Sequence, residues 1–380
     1  MIAIAGLRRR LGHLAVALAA LAIALAAAEF LVRAFAPEWL RARMREVAVG
    51  RSLGNWGSDA DWPVERDGGR IIRFVPGSAF TVRYDEYMHS VAIDELGGRA
   101  SGRVPGGTRP IVPIFGDSMT FGLGVRDQET WVSRVDRSTT VRLVNFGIPG
   151  TDLLNQLDAL DRLHGRLQSP AVCFFVVYLG NDLSTLASAM DTDTGGAVTT
   201  AASWSGGLFA VNQALDERRM LRRLHFVQWA RAMAVRAANA SRREPQMSGV
   251  FALMDRGVAL DRERRGVEQA IDRLARAAVR LGFAPAVVIL PDRLQVDERS
   301  RRDKAAQYGV TFSSYDPRRP NRLVTETLAR RGISFIDATD CLEGRAGQYY
   351  VRDEHFTAAG HETIAACVRA FIVDRSAAIR

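Results

Sequence analysis

The chain has 380 residues, 47% of them hydrophobic and 24% charged. That usage excludes a disordered or collagen-like chain and allows a sizeable core. The formal charge is +9, yet a single lysine, Lys304, stands among 51 basic residues, and arginine is spread along the whole chain beside 42 acids. The spread reads as a coding bias toward arginine, not as the clustered basic face of a nucleic-acid binder, so no nucleic-acid partner is expected.

Arg8, Arg9 and Arg10 open the chain and an apolar run follows from Leu14 to Ala28. Extended over Leu11 to Val32, it reaches the roughly 20 residues that cross a bilayer, at the cost of including His13 and Glu29. Two readings stand for residues 1–36: an uncleaved signal anchor, which is favoured, or a signal peptide cleaved near Ala26-Ala27-Ala28. Both place the remainder outside the cytoplasm. The anchor puts the protein in the inner membrane with its main domain in the periplasm; cleavage leaves it secreted or soluble in the periplasm. Disulfides are possible there. Cys341 and Cys367 either pair or remain two small apolar residues, and Cys173, inside the run AVCFFVVYL, reads as a free core thiol.

Residues 37–109 are polar and rich in Gly, Arg and Asp, with strand-like runs at Ile71–Val75 and Phe80–Tyr84. They read as a small β-rich lead-in. From 110 to 380 strand-length apolar runs alternate with helical stretches. The runs are IVPIF, VRLVNF, AVCFFVVYL, APAVVIL and ISFID; amphipathic segments include Leu153–Leu167 and Val267–Leu281. Continuous apolar strands alternating with helices predict an α/β fold, a doubly wound parallel sheet with helices on both faces. Residues 183–250 interrupt the rhythm with a Ser/Thr/Gly-rich stretch and an Arg-rich helical one around Leu215–Ala238. They read as a helical insertion beside the sheet, in the manner of a lid. Its Arg218, Arg219, Arg222 and Arg223 read as a solvated helix face rather than an anion site.

Ligands in open α/β sheets bind at the carboxyl ends of strands. The first run ends in Phe115-Gly116-Asp117-Ser118-Met119-Thr120-Phe121-Gly122. A Ser there is either an ordinary N-cap or a nucleophile exposed at a helix start. The second run ends in Asn145-Phe146-Gly147-Ile148-Pro149-Gly150, where Gly147 serves a tight turn or a close backbone approach to a ligand. The third ends in Leu179-Gly180-Asn181-Asp182, where Asn181 caps a helix or donates into the crevice. Finally, Asp353-Glu354-His355-Phe356-Thr357 precedes a predicted helix, Ala358–Val373. His355 is a candidate general base and Asp353 a candidate partner for it. His13, His89, His164 and His225 follow no strand end, and His361, on the helix, reads as structural. The sequence GxxxxGK[ST] is absent, and neither a cofactor nor a metal is expected.

Together the four blocks resemble the SGNH (GDSL-type) serine hydrolases over about residues 111–374. Ser118 lies in FGDSMTFG, Gly147 in NFGIPG, Asn181 in LGND and His355 in DEHFTAAGH. The run GDSMTFGLGVRDQETW and the N-terminal apolar segment resemble the exported, membrane-anchored branch, and Ile93–Arg99 resembles part of its lead-in. The resemblance implies a flavodoxin-like sheet and two-step acyl transfer. Ser118 would attack an ester carbonyl, His355 would take its proton and Asp353 would orient His355. The N–H groups of Ser118 and Gly147 and the amide of Asn181 would hold the oxyanion. Asp117 and Asp182 would stabilise their loops. Many members space the last pair as D-x-x-H, which would fall on Arg352; here the fit is Asp353-x-His355. The implied function is an exported ester hydrolase removing an acetyl or short acyl group from a carbohydrate or lipid. Alternatives are an O-acyltransferase acting on an envelope polysaccharide, which needs the same residues, and a non-catalytic glycan-binding protein on the same fold.

Overall fold

The computed structural model describes residues 2–38, 40, 41, 44, 62–67, 70–84, 86–102, 109–193, 224–230, 233, 249–311, 314–351 and 353–377. Most of the insertion, including Arg218, Arg219, Arg222 and Arg223, lies outside the described residues, as does Arg352. Residues 54–202, 246–302 and 311–380 form one unit, and residues 1–53, 203–245 and 303–310 form another.

In the larger unit the chain begins with two antiparallel pairs. They are β1 (Val64–Asp67) with β2 (Arg70–Phe74), and β3 (Ala79–Arg83) with β4 (Met88–Ala92). The strand-like runs Ile71–Val75 and Phe80–Tyr84 fall on β2 and β3, whose partners carry no such run. VERD carries three charges, and MHSVA hides its apolar side in strict alternation, with His89 and Val91 turned inward. The main sheet follows: β5 (Ile111–Gly116), β6 (Arg142–Gly147), β7 (Val172–Tyr178), β8 (Ala284–Leu290) and β9 (Ser334–Asp337). Every pairing is parallel and the order is β6-β5-β7-β8-β9. This is the flavodoxin-like order, in which the chain reverses direction beside its first strand. All five expected strands are present.

The runs are continuously apolar because both faces of the sheet are covered. Phe115, Phe175 and Val177 face one core with Leu157, Leu160, Ile271 and Leu274. Their neighbours Ile114, Phe174 and Val176 face the opposite core with Trp131, Ile364 and Val368. Phe115 stacks on Phe146 and Phe175 at 5.4 and 5.5 Å, each contact adding about 1 kcal/mol beyond burial. The helix Asp261–Leu281 buries Val267, Ala270, Ile271, Leu274 and Ala278, an i, i+3, i+4 stripe, and stops at Gly282 with φ +74°. It begins at Asp261 and not at the expected Val267, since its charged opening carries no apolar signal. The last helix, Ala358–Ala377, is joined to the short helix Thr339–Leu342 by a Cys341–Cys367 disulfide, while Cys173 is a buried free thiol.

In the smaller unit a helix runs over Ile2–Ala34, and its Ala15–Ala34 part is long and apolar enough to cross a membrane by length and composition. Val16, Ile23 and Phe30 are each at least 70% exposed on it. A signal sequence would share these properties. Glu29 accepts the backbone N–H groups of His225 and Phe226 at 2.9 and 2.8 Å. Residues His225 and Phe226 of the insertion are therefore bonded to the N-terminal helix.

Candidate active site

The reversal in strand order opens a crevice at the carboxyl ends of β5 and β7. Ser118 follows β5 there, and Asn181 follows β7. Asp117 caps the one-turn helix Ser118–Phe121, its Oδ1 accepting the Met119 N–H at 2.9 Å. Ser118 thus becomes the first helical residue, with a half-buried side chain at the strand edge. Gly116 and Gly147 let three backbones converge. A Cβ at Gly116 would stand 2.0 Å from Thr120 Oγ1, and one at Gly147 would stand 2.2 Å from the Phe121 nitrogen.

His355 comes from the opposite end of the chain. Its Nε2 lies 2.8 Å from Ser118 Oγ, and its Nδ1 lies 3.0 Å from Asp353 Oδ2. An Nδ1–H donating to the carboxylate leaves Nε2 as the acceptor for the Ser118 hydroxyl. Asp353 and His355 meet across a two-residue spacing because Glu354 turns the chain at φ +62°, a left-handed conformation uncommon outside glycine. Burial pulls the His355 pKa down, but the Asp353 charge and hydrogen bond outweigh it, and the net shift is upward. The other two histidines nearby go the other way. Burial and Arg99 push His89 down to about 4, and burial with Arg99 and Arg134 holds His361 well below its ordinary value. His361 Nδ1 accepts the Trp131 N–H at 3.2 Å, which ties the last helix to the helix Trp131–Asp136.

The structure places the remaining expected residues differently from one another. The Gly147 N–H is already engaged, donating to Asn145 Oδ1 at 2.9 Å. Close packing against Phe121 is by itself enough to require the glycine. Three residues on, Gly150 sits at φ +79° with open space around its Cα and no acceptor for its N–H among the described residues. The turn that carries it is pinned beneath Ser118, since Ile148 N–H and Thr151 Oγ1 both donate to Gly116 O, at 2.8 and 3.1 Å. Asn181 is exposed at the end of β7, and its carbonyl starts the helix Asp182–Asp193 by accepting the Thr185 N–H. Asp182 Oδ2 accepts the Tyr178 N–H at 3.0 Å. Burial pushes the Asp117 carboxyl up to about 6, and burial with the nearby Asp117 charge raises Asp182 well above the usual carboxylate range. Both acids are buried loop supports behind the serine.

The sequence reading gave no role to several lead-in residues that reach this site. Tyr87 OH donates to Asp353 Oδ2. Glu86 accepts the N–H groups of Val351 and Asp353 at 3.1 and 2.9 Å. Arg99 is fully buried and donates to the carbonyls of Phe121, Gly122 and Val125, while pairing with Asp127 at 2.9 Å. Trp62, Phe74 and Phe80 stack on Phe121. Of these residues only Arg99 falls in a block the sequence singled out, Ile93–Arg99, through its resemblance to the lead-in of the exported SGNH branch.

No protein-family model matches the chain, and no curated protein matches it. Solved structures do. TesA is 14% identical over 70% of this chain and 99% of its own, with a TM-score of 0.38. A member of the lipolytic protein G-D-S-L family from Veillonella parvula is 15% identical over 69% and 97%, with a TM-score of 0.36. An acetylxylan esterase from Geobacillus stearothermophilus, solved as a catalytic mutant, is 14% identical over 72% and 96%, with a TM-score of 0.34. In its strand order, its four blocks and the meeting of Ser118 with His355, the chain resembles the SGNH (GDSL-type) hydrolases.

Proposed function

We propose that the protein is a serine ester hydrolase that works through an acyl-enzyme on Ser118. The observation that carries this reading is the continuous contact from Ser118 Oγ to His355 Nε2 and from His355 Nδ1 to Asp353, at 2.8 and 3.0 Å. His355 takes the hydroxyl proton as Ser118 Oγ bonds to the ester carbonyl carbon. The charge that develops on the carbonyl oxygen is held by the Ser118 N–H at the helix start, the Gly150 N–H and the Asn181 amide. The tetrahedral species collapses as His355 returns the proton to the departing alcohol. Water, deprotonated by the same imidazole, then releases the acid. Asp353 fixes the imidazole tautomer and stabilises its charged form.

The site is read as exported and tethered to the inner membrane by the N-terminal helix, facing the periplasm. The apolar helix supports the tether, and the Cys341–Cys367 disulfide supports an oxidising compartment. An acetyl or other short acyl group, carried by a carbohydrate or lipid alcohol, is the expected substrate portion; a panel of nitrophenyl esters of increasing length tests it.

Fluorophosphonate labelling of the full-length chain in detergent, beside Ser118→Ala, tests the central claim. The wild type should label and the variant should not, with unchanged circular dichroism. A folded wild type that does not label, or a variant that still does, removes Ser118 from the chemistry.

A further inference from the structure

Between β3 and β4 the chain makes a tight turn, closed by the Tyr84 N–H donating to Tyr87 O at 2.8 Å. The turn projects two side chains onto the loop that carries Asp353 and His355. Glu86 spreads its two carboxylate oxygens over two donors of that loop, the N–H of Val351 and the N–H of Asp353. Tyr87 donates its hydroxyl to the same Asp353 oxygen that faces His355. The Tyr87 ring is held between Tyr84 and Tyr350, at 5.5 and 5.0 Å. Tyr350 in turn donates its hydroxyl to Gly124 O at 2.7 Å, in the segment that follows Ser118. Burial and the Asp353 charge push the Tyr87 pKa up, so its proton stays on the phenol.

We infer that Tyr87 and Glu86 are positioning residues of the active site, acting on His355 through Asp353, so that the lead-in completes the machinery rather than merely preceding it. This rests on the Ser118–His355–Asp353 reading. A carboxylate that precedes a left-handed residue in a loop has several rotamers available. Two donors on one oxygen select the rotamer in which that oxygen also meets His355 Nδ1. The phenol also shares the carboxylate charge, which moderates how strongly Asp353 holds a proton on His355. Removing the hydroxyl has two separate effects. Orientation is lost, which lowers kcat. The less-shared charge on Asp353 raises the His355 pKa, which moves the acid limb of the pH profile upward.

The test is the pH dependence of ester hydrolysis by full-length wild type, Tyr87→Phe and Glu86→Gln, with thermal melts alongside. Tyr87→Phe should lower kcat about tenfold, leave KM within about twofold and raise the acid limb by about half a pH unit. Glu86→Gln should lower kcat with KM unchanged and should leave the acid limb in place, because it acts on the backbone of the loop. A Tyr87→Phe protein that is less stable yet keeps the wild-type kcat and acid limb would overturn the inference. If Tyr87→Phe does not fold, Glu86→Gln carries the test, and an unchanged kcat there overturns it. The underlying triad fails separately: in that case Asp353→Asn, not only the lead-in variants, retains wild-type turnover.

Discussion

Asp353→Asn is the sharpest perturbation of the site. The side chain keeps its shape and can still accept from Tyr87, but it loses its charge. A 3.0 Å contact puts the carboxylate and imidazolium charges about 4 Å apart, where an effective dielectric near 20 gives about 4 kcal/mol. At 1.36 kcal/mol per decade this is about a thousandfold in kcat/KM. An amide that turns its NH2 toward Nδ1 would also favour the wrong imidazole tautomer. The pH profile gives the sign. Burial lowers the His355 pKa and Asp353 raises it above the ordinary value. With the charge gone, burial dominates and His355 titrates lower. The base is then neutral at lower pH, so the acid limb of kcat/KM moves down while the plateau falls. Stopped-flow hydrolysis of p-nitrophenyl acetate from pH 4 to 9 reads both quantities. A plateau within about threefold of wild type, with an unmoved acid limb, would refute the assignment of Asp353 as the partner of His355.

Other outcomes follow from the same contacts. Arg99→Met breaks the ion pair between fully buried Arg99 and partly buried Asp127 and three carbonyl bonds behind Ser118; urea unfolding should show a loss of about 3 kcal/mol together with loss of turnover. Glu354→Gly relieves a left-handed residue and should keep or slightly raise the melting temperature, whereas Glu354→Val should cost about 1–3 kcal/mol and lower kcat by misplacing Asp353. The disulfide joins residues 26 apart, so Cys341→Ser with Cys367→Ser should cost about 3 kcal/mol in denaturant under oxidising conditions and nothing further under reducing ones. In the native wild type a thiol reagent should count no free thiol until unfolding exposes Cys173.

The sequence alone determined the sheet and the places where chemistry could sit. Its strands are buried on both faces, so each reads as an unbroken apolar run, and the residues that follow each run lie at one edge of the sheet by topology. Ser118 and Asn181 could be placed at that edge for that reason, whereas Asp353 and His355 were picked out by their place before the last helix. What tertiary structure decided depends on meetings across long separations. Tyr87 and Asp353 are 266 residues apart, and Ser118 and His355 are 237 apart. No local pattern marks a phenol in a hairpin turn as the partner of a distant carboxylate, or a lone arginine as fully buried. Nor does any pattern reveal that the Gly147 N–H is spent on Asn145 while the Gly150 N–H meets no acceptor among the described residues, since both glycines sit in one turn motif and only backbone geometry separates them. Periodicity records which side a residue faces. Which partner it finds there is settled only when the chain closes on itself and every buried donor must be matched.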